Sequence, residues 1–398
     1  MGIGEALIMP ATLAIVATVF TDSAERTEAI GVWSAAVGVA TVIDPAPAAC
    51  LLDHFWWGSV FLVNLPIGAA GLVAGALLVP AVPAVRGRRL DLLGALLSVA
   101  GPAFLLWAII WAPGEGWTDP LVLGTFGTAT VLVVVFVRWE RRAASPLLPL
   151  GILCHRGLTV GAALIMLGAF AMIGTLFVLV QHLHFNLGYS AAQTGWRLGP
   201  MALALLVAGP MAGALVQRLG LRYVAAAGLV LVAAALAVFA TTNTGDGYGR
   251  VLVAVVVLGA GAGFVITSTS DAIVGTLPGR ALGVGPAVDS TAIQFGAALG
   301  GAVTGSVLAD RYRSELARSA LGPGEEAAAH DSLGAALTGA GRLPEQAGAA
   351  VARAARDAFT AGLGPAMFTT ASIALLGALS VLVLAPRRIH SDDSGDQS

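Results

Sequence analysis

The sequence predicts an all-α polytopic membrane protein, a helix bundle with about eleven spans. Three observations carry this expectation. The 398 residues are 57% hydrophobic and only 11% charged, with a mean hydropathy of +0.86, whereas a water-soluble domain carries about 25% charged residues. The apolar residues fall in runs of about 20, the length that crosses a bilayer as a helix. The arginines concentrate in alternate gaps between those runs. A β-barrel is excluded by the length of the runs and by their lack of alternation.

The expected spans lie near 3–20, 29–52, 59–80, 91–112, 120–137, 157–181, 198–216, 222–241, 251–276, 282–309 and 363–385. Arg26, Arg86, Arg88, Arg89, Arg138, Arg141, Arg142, Arg156, Arg218, Arg222, Arg280, Arg387 and Arg388 all fall on one side, while short loops of the other side hold Arg197 and Arg250. Arginine-rich short loops stay in the cytoplasm. This places the C-terminus inside and, after an odd number of spans, the N-terminus outside, in a multi-pass protein of the cell membrane. The long segment 310–362 holds the other six arginines among many acids and reads as an extracytoplasmic loop with helical stretches such as "EQAGAAVARAARDAF", a helical hairpin lying on the surface. The tail 386–398 is polar and reads as disordered. No cleavable signal peptide is apparent at the start.

Composition and motifs exclude several classes. A net charge of −2 gives no electrostatic case for nucleic acid. Cys50 and Cys154 imply neither a disulfide nor a metal framework. "GAGAGF" at 259–264 lacks the strand that a dinucleotide site needs and reads as close helix packing. His182 and His184 lie two apart without a completing carboxylate, which argues against a metal site. No nucleophile elbow, phosphate loop or zinc-protease signature occurs. The expectation is therefore a non-enzyme without a cofactor.

Ionisable residues inside apolar runs are the informative ones, because a charge at the bilayer centre costs at least about 2.5–3.5 kcal/mol. Asp289, Asp271, Asp44 and Glu5 qualify. A carboxyl group at such a depth can exchange a proton, or it can simply be hydrogen-bonded at a helix interface. Asp271 follows the run "TSTS" at 267–270, which reads as cavity lining, and Gln294 stands five residues after Asp289, not quite on its face. Gln181, with His182 and His184 in "VQHLHFNLGYS", is placed to face an outer vestibule or the headgroups. In "GALVQRLGLR", Gly213 and Gly220 permit close packing and a tight turn. Arg218 and Arg222 there suit helix-end carbonyls. The loop reads either as a topogenic positive turn or as a gating turn.

"GEALIMPATLAIVATVF", "ERTEAIGVWSAAVG" and "LLDHFWWGSVFLVNLPIG", followed by "PLLPLGIL", "GWRLGPMALALLVAGPMAGALVQRLGLR" and "GAALGGAVTGSVLADRYR", resemble the fourteen-helix drug:proton antiporters of the major facilitator superfamily, the EmrB/QacA type. The likeness runs from residue 2 to about 385, and the first run resembles the group's fourth helix, so three helices are absent from the pattern. The resemblance implies a remainder of the N-terminal bundle at 1–80, two central extra helices and a linker at 81–156, and a C-terminal bundle at 157–385. It also implies export of small amphipathic or cationic compounds in exchange for protons, by alternating access. Asp289 falls near an acid that some members use for coupling. Gly213, Arg218, Gly220 and Arg222 fit a loop pattern in which Gln217 replaces an acid. "DPAPAA" at 44–49 keeps Pro45 of a Gly-Pro-x-x-Gly-Gly motif but replaces its glycines, so Asp44 is either a new proton or cation site or a weakening of helix packing. The alternative to an active exporter is an inactive, N-terminally shortened form of one, or a chain whose start is misassigned.

Overall fold

The computed structural model describes residues 2–20, 22–43, 45–78, 91–143, 156–242, 247–275, 284–319, 321 and 332–384. Regular structure among them is helical throughout. In chain order the helices are α1 (Gly2–Val19), α2 (Ser23–Ile43), α3 (Pro45–His54), α4 (Ser59–Leu62), α5 (Asn64–Leu78), α6 (Leu92–Glu115) and α7 (Pro120–Glu140). Then come α8 (Arg156–Gln181), a π-turn (His182–Asn186), α9 (Ala191–Leu219), α10 (Leu221–Ala240), α11 (Gly247–Gly275), α12 (Val284–Leu316), α13 (Leu333–Ala340) and α14 (Glu345–Leu384). Among the described residues, 9 stretches are long and apolar enough to cross a membrane. They coincide with the third to eleventh expected runs. The first two runs are also helical, but α2 opens on the polar stretch 23–28, and the run 29–52 is shared between α2 and α3.

Local chemistry sets the helix ends. Asp91 caps α6 by accepting from the Gly94 amide at 2.8 Å, and Asp119 caps α7 ahead of Pro120. Ser190 and Gln193 form a reciprocal capping box at the start of α9. Gly220, at φ +85°, ends α9 and opens α10 in one residue, a conformation that a side chain would oppose.

The core lies among α8, α9, α10, α11, α12 and α14, around Phe239, Phe359, Leu198, Met201 and Leu205. Here glycines replace side chains where helices cross. Gly296 and Gly300 of α12 lie against the Met166 and Phe170 carbonyls of α8, and Gly228 of α10 faces Gly261 of α11. Gly259 and Gly263 of α11 lie against Met201 and Ala208 of α9. Lipid tails are as apolar as leucine, so such close backbone contact supplies much of the association energy.

The earlier helices attach at the edge. α2 crosses α9 glycine to glycine, where a Cβ on Gly209 would stand 2.6 Å from the Gly31 carbonyl oxygen. Trp33 of α2 donates to Thr12 of α1 at 3.1 Å. The α6–α7 hairpin is fastened at one end by Trp139 Nε1 donating to Asp91 at 2.8 Å, and at the other by Trp117 Nε1 donating to Ser306 of α12 at 3.3 Å. Both contacts of the hairpin join helix ends that the arginine count assigns to one side. The segment 310–362 is helical around 345–359 as expected, but it packs into the bundle instead of lying on its surface. Much of it prolongs α12 and begins α14, because its alanine-rich sequence favours helix and buries Tyr312, Leu316, Ala355 and Phe359.

Candidate functional site

Asp289 is a fully buried carboxyl of the bundle. It lies one and a half turns into α12 and is 0% exposed. Ser270 of α11 donates to its Oδ1 at 3.0 Å, while Oδ2 has no hydrogen-bond partner. The surroundings are apolar: Leu158 and Ile165 of α8, Ile273 of α11 and Ala292 of α12 form one buried cluster, with Ala162, Met166 and Val288 packed against it. Gly161 of α8 admits the Ile273 side chain, which a Cβ there would meet at 2.8 Å. Among the described residues, a negative charge in this setting has one hydroxyl donor and no cation beside it, so a proton or a bound cation is the chemistry that the site can accept.

The run "TSTS" does not line an open cavity. All four side chains are 0% exposed. Ser268 and Thr269 bond carbonyls of their own helix, at 2.6 Å each, and Ser270 reaches Asp289. Thr267 Oγ1 is buried with no partner. Only Ser270 meets a helix distant in the chain, so spacing along α11 alone does not mark it out from its neighbours.

The remaining candidates scatter. Gln294 is exposed on α12, so the structure does not bring it to Asp289. Glu5 lies in α1, Asp271 near the end of α11 and Pro45 at the start of α3, and their side chains are not described. Asp44 lies outside the described residues.

Gln181 lies at the opposite end of α8 from the Asp289 cluster. It donates to the Phe177 carbonyl at 3.2 Å and borders a cavity of ≈ 480 Å³ between α6, α8, α12 and α13. His182 is not in a vestibule: it is 1% exposed, between the rings of Phe239 and Phe359. Its Nδ1 lies 3.3 Å from Asn186 Nδ2, which donates to Thr360 of α14 at 2.8 Å. The π-turn makes this possible by turning His182 inward, while His184 stays exposed with Nδ1 2.8 Å from the Tyr189 carbonyl.

The α9–α10 turn sits beside α2. Gly213 is buried against Thr27, whose carbonyl oxygen a Cβ would meet at 3.1 Å. Arg218 is exposed in the last turn of α9, and the Arg222 guanidinium lies 6.0 Å from the Tyr223 ring centroid. Gly213 thus lies close against α2, and Gly220 makes the turn. The helix-end carbonyl bonds expected of Arg218 and Arg222 are not among the contacts seen; Gly220 N–H instead closes the turn on the Val216 carbonyl at 2.8 Å.

A polytopic α-bundle with glycine-packed crossings, one buried carboxyl between two helices and no metal-ligating cluster among the described residues has the architecture of a membrane carrier. Residues 1–301 match the Major Facilitator Superfamily, and the chain belongs to that family. It is 31% identical to the tetracenomycin C resistance and export protein of Streptomyces glaucescens, covering 98% of this chain and 74% of that protein. It is 30% identical to the multidrug efflux pump LfrA of Mycolicibacterium smegmatis, over 98% and 77%. The methyl viologen resistance protein SmvA of Salmonella typhimurium is likewise 30% identical, over 98% and 79%. The chain is therefore a facilitator-type transporter whose relatives are named for drug resistance and efflux.

Proposed function

We propose that this transporter exports small amphipathic or cationic compounds in exchange for protons, as a member of the fourteen-helix group. The observation that carries the reading is Asp289, fully buried between α11 and α12 with one hydroxyl donor and one unpartnered oxygen. A proton neutralises that carboxyl. A cationic substrate, or a shift that opens the site to water, lets the proton leave. Competition for one acid couples the two fluxes without covalent chemistry. The names of the relatives support a drug-like cargo. In this reading residues 1–80 belong to the N-terminal bundle, 81–156 to the two extra helices and linker, and 157–385 to the C-terminal bundle, with the tail in the cytoplasm of a cell-membrane protein.

The test uses the full chain in sealed proteoliposomes with an imposed proton gradient and methyl viologen as the probe. Asp289→Asn keeps the shape and the Ser270 contact but holds no exchangeable charge. The expected outcome is loss of gradient-driven methyl viologen accumulation, with gradient-free exchange retained. Wild-type accumulation by the variant would remove Asp289 from coupling, and absence of accumulation by the unaltered chain would count against active export.

A further inference from the structure

The cavity of ≈ 480 Å³ beside Gln181 lies apart from the Asp289 cluster. Its floor is one face of α12, from Ala297 to Tyr312, and its walls include Ile110 of α6, Phe177 of α8, Leu333 of α13 and Phe359 of α14. At 3.6 residues per turn, Asp289 falls about 150° round α12 from that face. The volume is in the range of pockets that hold small organic molecules. Beside the cavity, α6 is fastened to α12 by Trp117 Nε1, which donates to Ser306 at 3.3 Å.

Two features of the lining point to one kind of occupant. The first is its polarity. Among the described lining residues none is charged, and the hydrogen-bonding side chains, Gln181, Tyr312 and Ser332, gather at one end. α8 and α12 run parallel, with Met166 at Gly296 and Phe177 at Gly305. Gln181, one turn past Phe177, therefore stands level with the Tyr312 end. Ser332 joins them there, because the next turn of α13 packs on the Phe185 ring at Gly334. Gln181 gives an amide N–H to the Phe177 carbonyl, and its Oε1 takes no part in that bond. The second feature is the floor. Gly296 and Gly300 lie against backbone of α8, but a Cβ on Gly301 would meet nothing within 4 Å, and one on Gly305 would only touch the Phe177 ring at 3.4 Å. Glycine inside a helix is destabilising relative to alanine. No close contact offsets that cost at Gly301; the missing side chain instead leaves the floor flat.

We propose that this cavity is a binding site for a small uncharged amphiphile, an apolar body with one hydrogen-bonding head. The head lies at the end formed by Gln181, Tyr312 and Ser332, and the body lies on the Gly301 floor. A cation entering here would leave water with no carboxylate of the lining to meet it, which is costly. The cavity thus discriminates against the class of compound that Asp289 suits. A bilayer phospholipid also fits it poorly, since its head is charged and it carries two chains. The occupant is a free small molecule that reaches the cavity from the bilayer or the medium. The assignment stands on the cavity alone and does not require Asp289 to carry a proton.

The test is a binding measurement on the detergent-solubilised full chain with 1-pyrenemethanol, an uncharged flat body with one hydroxyl. Pyrene accepts excitation energy from tryptophan, and Trp107 and Trp111 lie on α6, with Trp117 just beyond it. Transfer that saturates with added probe is expected. Gly301→Leu fills the floor from a Cβ that meets nothing within 4 Å, and should weaken binding at least about tenfold. Gly127→Leu, equally unobstructed but on α7, should bind like the parent. Gln181→Leu tests the other end without touching the floor: affinity for 1-pyrenemethanol should fall about fivefold, the factor of one hydrogen bond, while affinity for unsubstituted pyrene stays the same. 1-Pyrenemethylamine, the same body carrying a cation at neutral pH, should bind at least about tenfold more weakly than the alcohol, and excess methyl viologen should not displace the alcohol. Four results would each overturn the assignment: transfer that never saturates, parent-like binding of the alcohol by Gly301→Leu or Gln181→Leu, equal binding of the amine, or displacement of the probe by phosphatidylglycerol or methyl viologen.

Discussion

At the residue scale, the candidate site was half visible in the sequence. Asp289 stood out because a carboxylate inside an apolar run is expensive, and hydropathy alone locates it. Ser270 did not, because a hydroxyl among hydroxyls carries no mark of which one meets the acid. That choice is made by the rotation of α11 against α12. The same holds for the crossing of α2 and α9. Gly31 and Gly209 are two of 51 glycines, and nothing local pairs them. Their contact makes a sharp prediction. Gly209→Ala places a Cβ 2.6 Å from the Gly31 carbonyl oxygen, which backbone cannot yield, at a cost of roughly 1–3 kcal/mol. The detergent-solubilised variant should melt several degrees below the parent. Gly127→Ala, with nothing within 4 Å of the new Cβ, should melt like the parent or slightly above it, since alanine is the better helix former.

At the element scale, nine spans were legible from run length and their ends from caps such as Asp119 with Pro120 and Ser190 with Gln193. The reach of α12 and α14 was not. A polar, alanine-rich stretch reads as loop by hydropathy, but hydropathy is blind to a narrow buried face. Here that face is Tyr312 and Leu316 on one helix and Ala355, Ala358 and Phe359 on the other. The π-turn was equally hidden, since its sequence "HLHFN" fits an ordinary helix. The extension of α14 is open to test by thiol labelling in detergent. A cysteine at Ala355 (0% exposed) should react at least tenfold more slowly than one at the exposed Arg353. Equal rates would mean that the start of α14 does not pack as a helix.

At the scale of the whole molecule, the arginine count anticipated which helix ends belong together, and three contacts agree with it: Thr27 with Gly213, Asp91 with Trp139, and Trp117 with Ser306. The sidedness itself is a prediction. In sealed cells, an impermeant thiol reagent should label a cysteine at Arg313 and leave one at Arg138 untouched until the membrane is opened; both residues are exposed. The reverse pattern would invert the topology. Hydropathy marks the spans but not how unevenly burial is shared among them. In α4 and α5 the spanning stretch Ser59–Leu77 is 0% buried, whereas Leu221–Ala240 is 61% buried. The C-terminal six-helix group therefore holds the core, and the earlier helices present their sides to the surrounding apolar medium.

The backbone-to-backbone glycine crossings have a thermal consequence. Parting two helices in a soluble domain wets apolar surface and raises the heat capacity, which bends the stability curve and weakens the fold in the cold. Parting α8 from α12, or α10 from α11, within a bilayer exposes their faces to lipid tails instead of water. The heat-capacity change should be small, so these joints should hold about as firmly near freezing as at growth temperature. Calorimetry on the protein in bilayers would then trace a nearly straight stability line where a soluble helical domain of this size gives a dome.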